Sequence, residues 1–156
     1  KALLTYQKRV DLHEKKMTCP DEVFWSLYTI GCLQSDLKKS DDLVIDSFLQ
    51  AFAFDETRRE PLYRLAVHFQ LMESFILGYL VAKFALTIPK PDHALQLQHG
   101  IYDYLLELKY AELAWQIGEG EESLAQYKNL LARPKIPEQT RQVIEKNIAI
   151  LSEVFS

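Results

Sequence analysis

The chain has 156 residues, of which 48% are hydrophobic, and it carries a formal net charge of −4. This balance predicts a single domain with a buried core and argues against nucleic-acid binding, because neutralising phosphates requires clustered lysines and arginines. A membrane span is not expected either, since Lys83 interrupts the longest apolar run, residues 75–88, which is shorter than the ~18 residues that a spanning helix needs.

The residue pattern predicts helices and no strand along the chain, because almost no segment alternates strictly between apolar and polar residues. Residues 2–9 are spaced like the second helix of a pair whose first helix is missing. Asp21 is expected to cap the next helix, predicted over residues 22–36. A polar turn then separates this helix from another one over residues 42–54.

Prolines and glycines mark the ends of the later helices. Pro61 suits the first turn of a helix that ends near Leu71, because the missing proline N–H costs nothing there. An insertion of roughly eight residues, 93–100, follows the next helix and two prolines that forbid its continuation. The four remaining helices are expected over residues 74–88, 101–117, 121–132 and 138–155.

An internal repeat runs through these helices. The segment Leu27–Gly31 resembles Leu62–Ala66, 35 residues later, and Ala51 recurs as Ala85 after 34 residues. A third copy begins around Ala111, after a longer step of 45 residues. A helix–turn–helix repeat of about 34 residues is the signature of a tetratricopeptide solenoid. We therefore predict an all-α, right-handed superhelix of about three helix pairs, closed by a C-terminal helix.

The third copy resembles the tetratricopeptide pattern most closely, and the repeats are divergent. Its matching positions are Tyr110, Ala111, Ala114, Gly118, Ser123, Leu124, Tyr127, Leu130 and Leu131. The tryptophan expected early in each first helix is replaced by Leu27, Leu62 and Glu107. Gly118 has no glycine counterpart in the first two copies, and the first copy needs one extra residue in its turn.

A longer set of segments goes beyond the generic repeat: Phe48–Phe52, Arg58–Tyr63, Leu77–Tyr79, Ala82–Lys83, Ala85–Leu86 and Ile101–Asp103. These segments resemble the helical repeat region of bacterial two-domain glycosyltransferases, where a nucleotide-sugar transferase domain is joined to such repeats. The chain shows neither an Asp-x-Asp metal motif nor a nucleotide-binding α/β pattern. The resemblance therefore implies that residues 1–156 are a single non-catalytic repeat domain of a longer protein.

Catalytic, metal and cofactor sites are not expected from the residue pattern. The histidines are His13, His68, His93 and His99. None of them forms the i, i+4 pair that places two ligands on one helix face. Acidic pairs such as Glu121 and Glu122 fall at helix starts, where they complement the helix dipole. Cys19 and Cys32 lack metal-like spacing and fit a reducing compartment, so we expect a cytoplasmic protein.

The first helices of a tetratricopeptide fold line its concave face, and this register predicts a partner-binding face. Its expected residues are Trp25, Tyr28, Glu60, Tyr63, Gln70, Leu108, Glu112 and Trp115. Aromatic side chains on such a face suit an extended peptide or a helix, because they supply large contact area at low entropic cost. The alternative is that these rings pack between helices.

The sequence favours a non-catalytic scaffold that holds a protein or peptide, or another domain of its own chain. The best-matching parent is a glycosyltransferase-like bacterial protein. The alternative is a free-standing tetratricopeptide adaptor, and a third class is an enzyme that uses the insertion, residues 90–104, as its site. The full reading frame would separate the first two hypotheses.

Overall fold

The computed structural model describes residues 2–14, 19–92 and 96–154, which form eight α-helices and no strand. The all-α prediction is confirmed for these ranges. His93, part of the predicted insertion, lies outside the described residues. The helices are α1 (Ala2–Glu14), α2 (Pro20–Asp36), α3 (Asp41–Phe54), α4 (Glu60–Leu71), α5 (Phe75–Leu86), α6 (Leu106–Gln116), α7 (Gly120–Leu131) and α8 (Glu138–Val154).

Two helix starts differ from the sequence prediction. Helix α2 begins at Pro20, with Cys19 rather than Asp21 at the N-cap position. Proline is pre-organised for the first helical turn, and this places Asp21 inside that turn, where its charge still complements the helix dipole. The helix predicted over residues 101–117 opens with a π-helical turn, Ile101–Leu105, before α6 begins.

The helices follow one another in space as they do in sequence. Each helix from α1 to α8 packs against the next one along the chain. In addition, α2 contacts α4, and α4 contacts α6. The even-numbered helices α2, α4 and α6 therefore lie side by side.

The turns after α2, α4 and α6 share one conformation, which the sequence does not reveal. Lys38, Glu73 and Gly118 follow these helices with positive φ angles of 50°, 58° and 91°. After α6, the Gly118 N–H donates to the Trp115 carbonyl and the following N–H donates to the Ala114 carbonyl. Equivalent pairs of bonds end α2 and α4. This is the Schellman motif, so the counterparts of Gly118 are a lysine and a glutamate.

The extra residue predicted in the first turn is confirmed. The N-cap of α3 is Ser40, two residues after Lys38. The N-cap of α5 is Ser74, one residue after Glu73, and the turn after Gly118 is equally short. The same turn therefore joins the two helices of each pair, α2–α3, α4–α5 and α6–α7. The turn of the first pair has one additional residue.

Small residues hold the helices of a pair close together, as the repeat predicted. Ala66 and Ala85 are completely buried. A Cβ atom placed on Gly78 would lie 3.2 Å from the Ala66 carbonyl oxygen and 3.0 Å from a Leu113 methyl carbon. At such distances a larger side chain has no room, so the small residues set the spacing between α4 and α5.

Among the described residues, the core is a series of three apolar clusters that follow the order of the helices. The first joins α2, α3 and α4 around Phe48 and Leu65. The second joins α4, α5 and α6 and includes Leu62 and Leu113. The third joins α6, α7 and α8 around Leu130. Helices α4 and α6 each contribute to two clusters. Packing on both sides therefore fixes the position of α4 relative to α6.

Candidate functional site

A groove lies where α4, α6, α7 and α8 come together. It encloses a cavity of about 270 Å³. Three residues of the predicted partner-binding face, Gln70, Glu112 and Trp115, share this cavity. The full lining is Gln70, Glu112, Trp115, Gln116, Tyr127, Asn147, Ile150 and Leu151. We refer to this set as the α4–α6–α8 groove.

Hydrogen bonds between α4 and α6 order one wall of the groove. The Lys109 ammonium donates to Gln70 Oε1 at 2.5 Å and to the Glu112 carboxylate. Gln70 Nε2 in turn donates to Gln116 Oε1 at 2.9 Å. Lys109 therefore balances the charge of Glu112 and orients the Gln70 amide, which in turn orients the Gln116 amide. This wall of the groove is polar but has no net charge.

The opposite wall comes from α7 and α8. Asn147 Nδ2 donates to the Tyr127 hydroxyl at 3.1 Å. Burial raises the pKa of Tyr127 to about 12, so its hydroxyl keeps its proton at neutral pH. Leu151 and Ile150 complete this wall; Leu151 is buried, whereas Ile150 is about half exposed.

Trp115 gives the groove its main apolar surface. It lies in the last turn of α6, and 40% of its surface is exposed. A core tryptophan would be almost completely buried, so Trp115 fits the predicted binding face better than the alternative of packing between helices. An exposed indole beside amide groups offers both apolar contact and directional hydrogen bonds.

Three other residues of the predicted face lie elsewhere, around a buried arginine. Tyr28 and Glu60 are almost completely buried, and Trp25 is half buried. The Arg58 guanidinium carbon lies 5.0 Å from the Trp25 ring centroid. Tyr28 and Glu60 therefore cannot be surface contact residues in this structure, because the segment that contains Gln98 packs over them. This corrects the predicted face at these two positions.

Arg58 and Glu60 form the centre of this buried group. Arg58 donates from Nε at 3.3 Å and from Nη2 at 3.0 Å to the two Glu60 oxygens. Tyr102 donates its hydroxyl proton to Glu60 Oε2 at 2.6 Å. Burial and this hydrogen bond raise the pKa of Tyr102, which keeps it a donor. The Arg58–Glu60 pair thus ties the start of α4 to the π-helical turn.

The segment before the π-helical turn is held by the same group. Arg58 Nη2 donates to the Gln96 carbonyl at 2.6 Å, and the Gln98 N–H donates to Glu60 Oε1 at 3.3 Å. Tyr28 donates to the Gln98 side chain at 3.0 Å. The described part of the insertion is therefore hydrogen-bonded both to α2 and to the start of α4.

The last two predicted residues are half buried against the core. Tyr63 packs on the cluster between α4, α5 and α6, and burial raises its pKa. Leu108 packs on the cluster between α6, α7 and α8. Neither of them lines the α4–α6–α8 groove. The structure therefore brings together Gln70, Glu112 and Trp115 and places the other five predicted residues outside this cavity.

Sequence reasoning missed five of the eight residues that line the groove. Tyr127, Asn147 and Ile150 belong to helices that the repeat register does not assign to the concave face. The sequence contained one signal for this wall, because Ile150 is an apolar residue of α8 that lies beside its buried stripe. The burial of Arg58 gave no signal in the sequence, since an arginine in a polar turn is expected to be solvated.

The described ranges show neither a cluster of metal-binding side chains nor a membrane-spanning helix. Within them, no three His, Cys, Asp or Glu side chains group as a metal ion would need. None of their helices has the length and apolarity to cross a membrane. Comparison with protein-family models, curated proteins and solved structures found no match to this chain.

Proposed function

We propose that this chain is a non-catalytic scaffold of the tetratricopeptide type that holds a peptide or protein segment in the α4–α6–α8 groove. The observation that carries this proposal is the clustering of Gln70, Glu112 and Trp115 in one cavity. The sequence register independently predicts a common binding face for these three residues. Their agreement supports the groove as the binding surface.

The repeated turns support the tetratricopeptide architecture. Lys38, Glu73 and Gly118 end α2, α4 and α6 with the same motif, and these three helices also contact one another as alternate neighbours. In a solenoid of helix pairs, the first helices would line one side, and α8 would follow as a closing helix. On this arrangement the α4–α6–α8 groove lies on the inner side.

The lining indicates how a bound segment would be recognised. The amides of Gln70, Gln116 and Asn147 can donate to and accept from a peptide backbone. Trp115 and Ile150 offer apolar contact to one anchoring side chain. Since Lys109 already balances Glu112, a neutral or apolar anchor fits this groove better than a strongly charged one.

The parent protein remains a second part of the proposal. The segments that resemble the repeat region of bacterial two-domain glycosyltransferases favour a module attached to such an enzyme, located in the cytoplasm. Under this hypothesis the purified chain turns over no nucleotide sugar, and the bound segment belongs to another domain of the same protein. The alternative is a free-standing adaptor. In both cases the groove would be the surface that binds the peptide or protein segment.

Selection of binding peptides tests the groove directly. A random peptide library displayed on phage would be selected against the chain, and the bound peptides titrated into isotopically labelled protein. We expect the largest backbone shifts at Gln70, Glu112, Trp115 and Asn147. Failure to select any peptide, or shifts concentrated on α1 and α2, would contradict the proposal.

A further inference from the structure

The outer side of α5 carries an apolar stripe that the groove does not use. Its residues are Ile76, Leu77, Leu80 and Phe84, which are 65%, 50%, 54% and 53% exposed. We refer to these four residues as the α5 stripe. Three of them are spaced four residues apart, so they form one row along the helix. A helix of a monomeric domain normally turns polar side chains to water, and a row of half-exposed large apolar side chains marks an interaction surface.

The apolar surface continues beyond the stripe at both ends. A cavity of about 430 Å³ adjoins its N-terminal end and is lined partly by Ile76, Leu77 and Ile117. At the other end, the Phe84 ring meets the Phe52 ring of α3 edge-on, with centroids 6.1 Å apart. The stripe is therefore part of a continuous patch and not a set of isolated exposed residues.

We propose that α5 pairs with α5 of a second copy of this chain, antiparallel across a two-fold axis at Leu80. The row is symmetric about its middle, because Ile76 and Phe84 lie four residues to either side of Leu80. In an antiparallel pair Leu80 meets its own counterpart, and Ile76 meets Phe84 of the other copy. Rows of this four-residue spacing interdigitate at a crossing angle of about −50°.

Charge favours this occupant and this direction. Lys83 is the charged residue of α5, and its ammonium is held by the Tyr79 hydroxyl at 2.7 Å and by Glu122 at 3.4 Å. Two stripes can therefore meet without placing like charges face to face. Lys90, which follows α5, is already paired with Asp103 at 3.1 Å and adds no free charge to this end of the helix. Antiparallel pairing sets the two helix dipoles in opposite directions, whereas parallel pairing would align them.

The available area also matches a dimer. A half-exposed side chain of this size shows on the order of 100 Å², so the stripe presents on the order of 400 Å² of apolar surface. A typical stable interface buries about 800 Å² per partner, of which about 65% is apolar in homodimers. The α5 stripe thus supplies most of the apolar contact that a homodimer needs.

The test is the mass of the chain in solution at micromolar concentration, measured by sedimentation equilibrium. We expect twice the chain mass of 18.2 kDa for the unmodified protein. Leu80→Glu should weaken dimerisation about a hundred-fold or more and keep the helical circular dichroism. Val143→Glu is the matched control, because Val143 is 49% exposed on α8, and it should remain dimeric. A monomeric unmodified protein, or a Leu80→Glu variant that is still dimeric, would overturn the proposal.

Cross-linking decides the case even if Leu80→Glu fails to fold. In a Cys19→Ser background, Leu80→Cys should form a disulfide-linked dimer on mild oxidation, because the two-fold axis brings the two cysteines together. Val143→Cys should stay uncross-linked under the same conditions. Equal cross-linking of both variants, or none at Leu80→Cys, would show that the pairing is wrong. Because the stripe is separate from the groove, these outcomes leave the proposed peptide binding unaffected.

Discussion

Arg58 and Glu60 are joined by two hydrogen bonds, of 3.3 Å and 3.0 Å, and their side chains are 1% and 0% exposed. The pair connects the start of α4 to the segment before α6, because Arg58 also donates to the Gln96 carbonyl. Nη1 of Arg58 has no hydrogen-bond partner within the described part of the chain. The guanidinium is stabilised in part by the Phe24 ring, whose centroid lies 4.3 Å from Cζ.

Removing the charge of Glu60 should strongly destabilise the domain. Glu60→Gln leaves the Arg58 charge buried without a counter-charge, and breaking such a pair costs typically ~3–5 kcal/mol. The double variant Arg58→Met with Glu60→Leu should lose less than Glu60→Gln alone. Urea unfolding measures the free energy of unfolding of both variants, and Glu56→Gln, at an exposed position, is the control. Equal stability of Glu60→Gln and the control would show that the pair does not hold this region together.

The two non-glycine Schellman turns should be improvable. Lys38 and Glu73 adopt positive φ angles, which cost a side-chain-bearing residue roughly 1 kcal/mol relative to glycine. We expect Lys38→Gly and Glu73→Gly each to raise the free energy of unfolding by up to about 1 kcal/mol. Gly118→Ala should lower it by a similar amount. Destabilisation by both glycine substitutions would mean that these turns differ from the one at Gly118.

Close packing between α4 and α5 should make Ala66 intolerant of larger side chains. Ala66 is completely buried, and its carbonyl would lie 3.2 Å from a Cβ at position 78. Overpacking such a contact costs typically ~1–3 kcal/mol, so Ala66→Leu should lower the melting temperature clearly. Ala53→Leu, at an exposed position of α3, is the matched control. Similar melting temperatures for the two variants would contradict the packing.

Glu122 should make stability depend on pH at the acid end. Hydrogen bonds from Tyr110 first, and from Tyr79 second, lower the pKa of Glu122 in the folded protein. A carboxyl with a lowered folded-state pKa stabilises the fold above its unfolded pKa of about 4.3, and this contribution disappears as the pH falls. The stability difference between the unmodified protein and Glu122→Gln should therefore shrink below about pH 4.

Urea unfolding of both proteins at neutral and acid pH measures this difference. Glu121→Gln, at the exposed neighbouring position, provides the control and should show a smaller dependence on pH. A gap between Glu122→Gln and the unmodified protein that stays constant from pH 7 to about pH 3 would contradict the role of the carboxylate.

The sequence predicted the helices well because each carries a local signal. These signals are apolar periodicity, a proline in a first turn (Pro61) and small residues at close contacts (Ala66 and Ala85). Each of them depends only on residues of the same helix pair. The turns at Lys38 and Glu73 were missed as counterparts of Gly118, since neither residue type favours a left-handed conformation. Their conformation follows from the packing of the two helices that they join.

The candidate site was predictable only in part for the same reason. Gln70, Glu112 and Trp115 follow from the helical register of α4 and α6. Tyr28 and Glu60 fit the same register but are covered by a segment that is distant in sequence and unlike the repeats. The wall formed by Tyr127 and Asn147 depends on how α8 packs, which the repeat pattern does not specify.

The most direct test of the scaffold hypothesis is the affinity of a selected peptide for a variant that lacks the indole of the groove. Interface aromatics commonly contribute ~2 kcal/mol or more when truncated, so Trp115→Ala should weaken binding by at least about ten-fold. Leu37→Ala is the control, because it removes an exposed apolar side chain that lies outside the groove. Calorimetric titration should give this control the affinity of the unmodified protein. Equal affinities of Trp115→Ala and Leu37→Ala would contradict the α4–α6–α8 groove as the binding site.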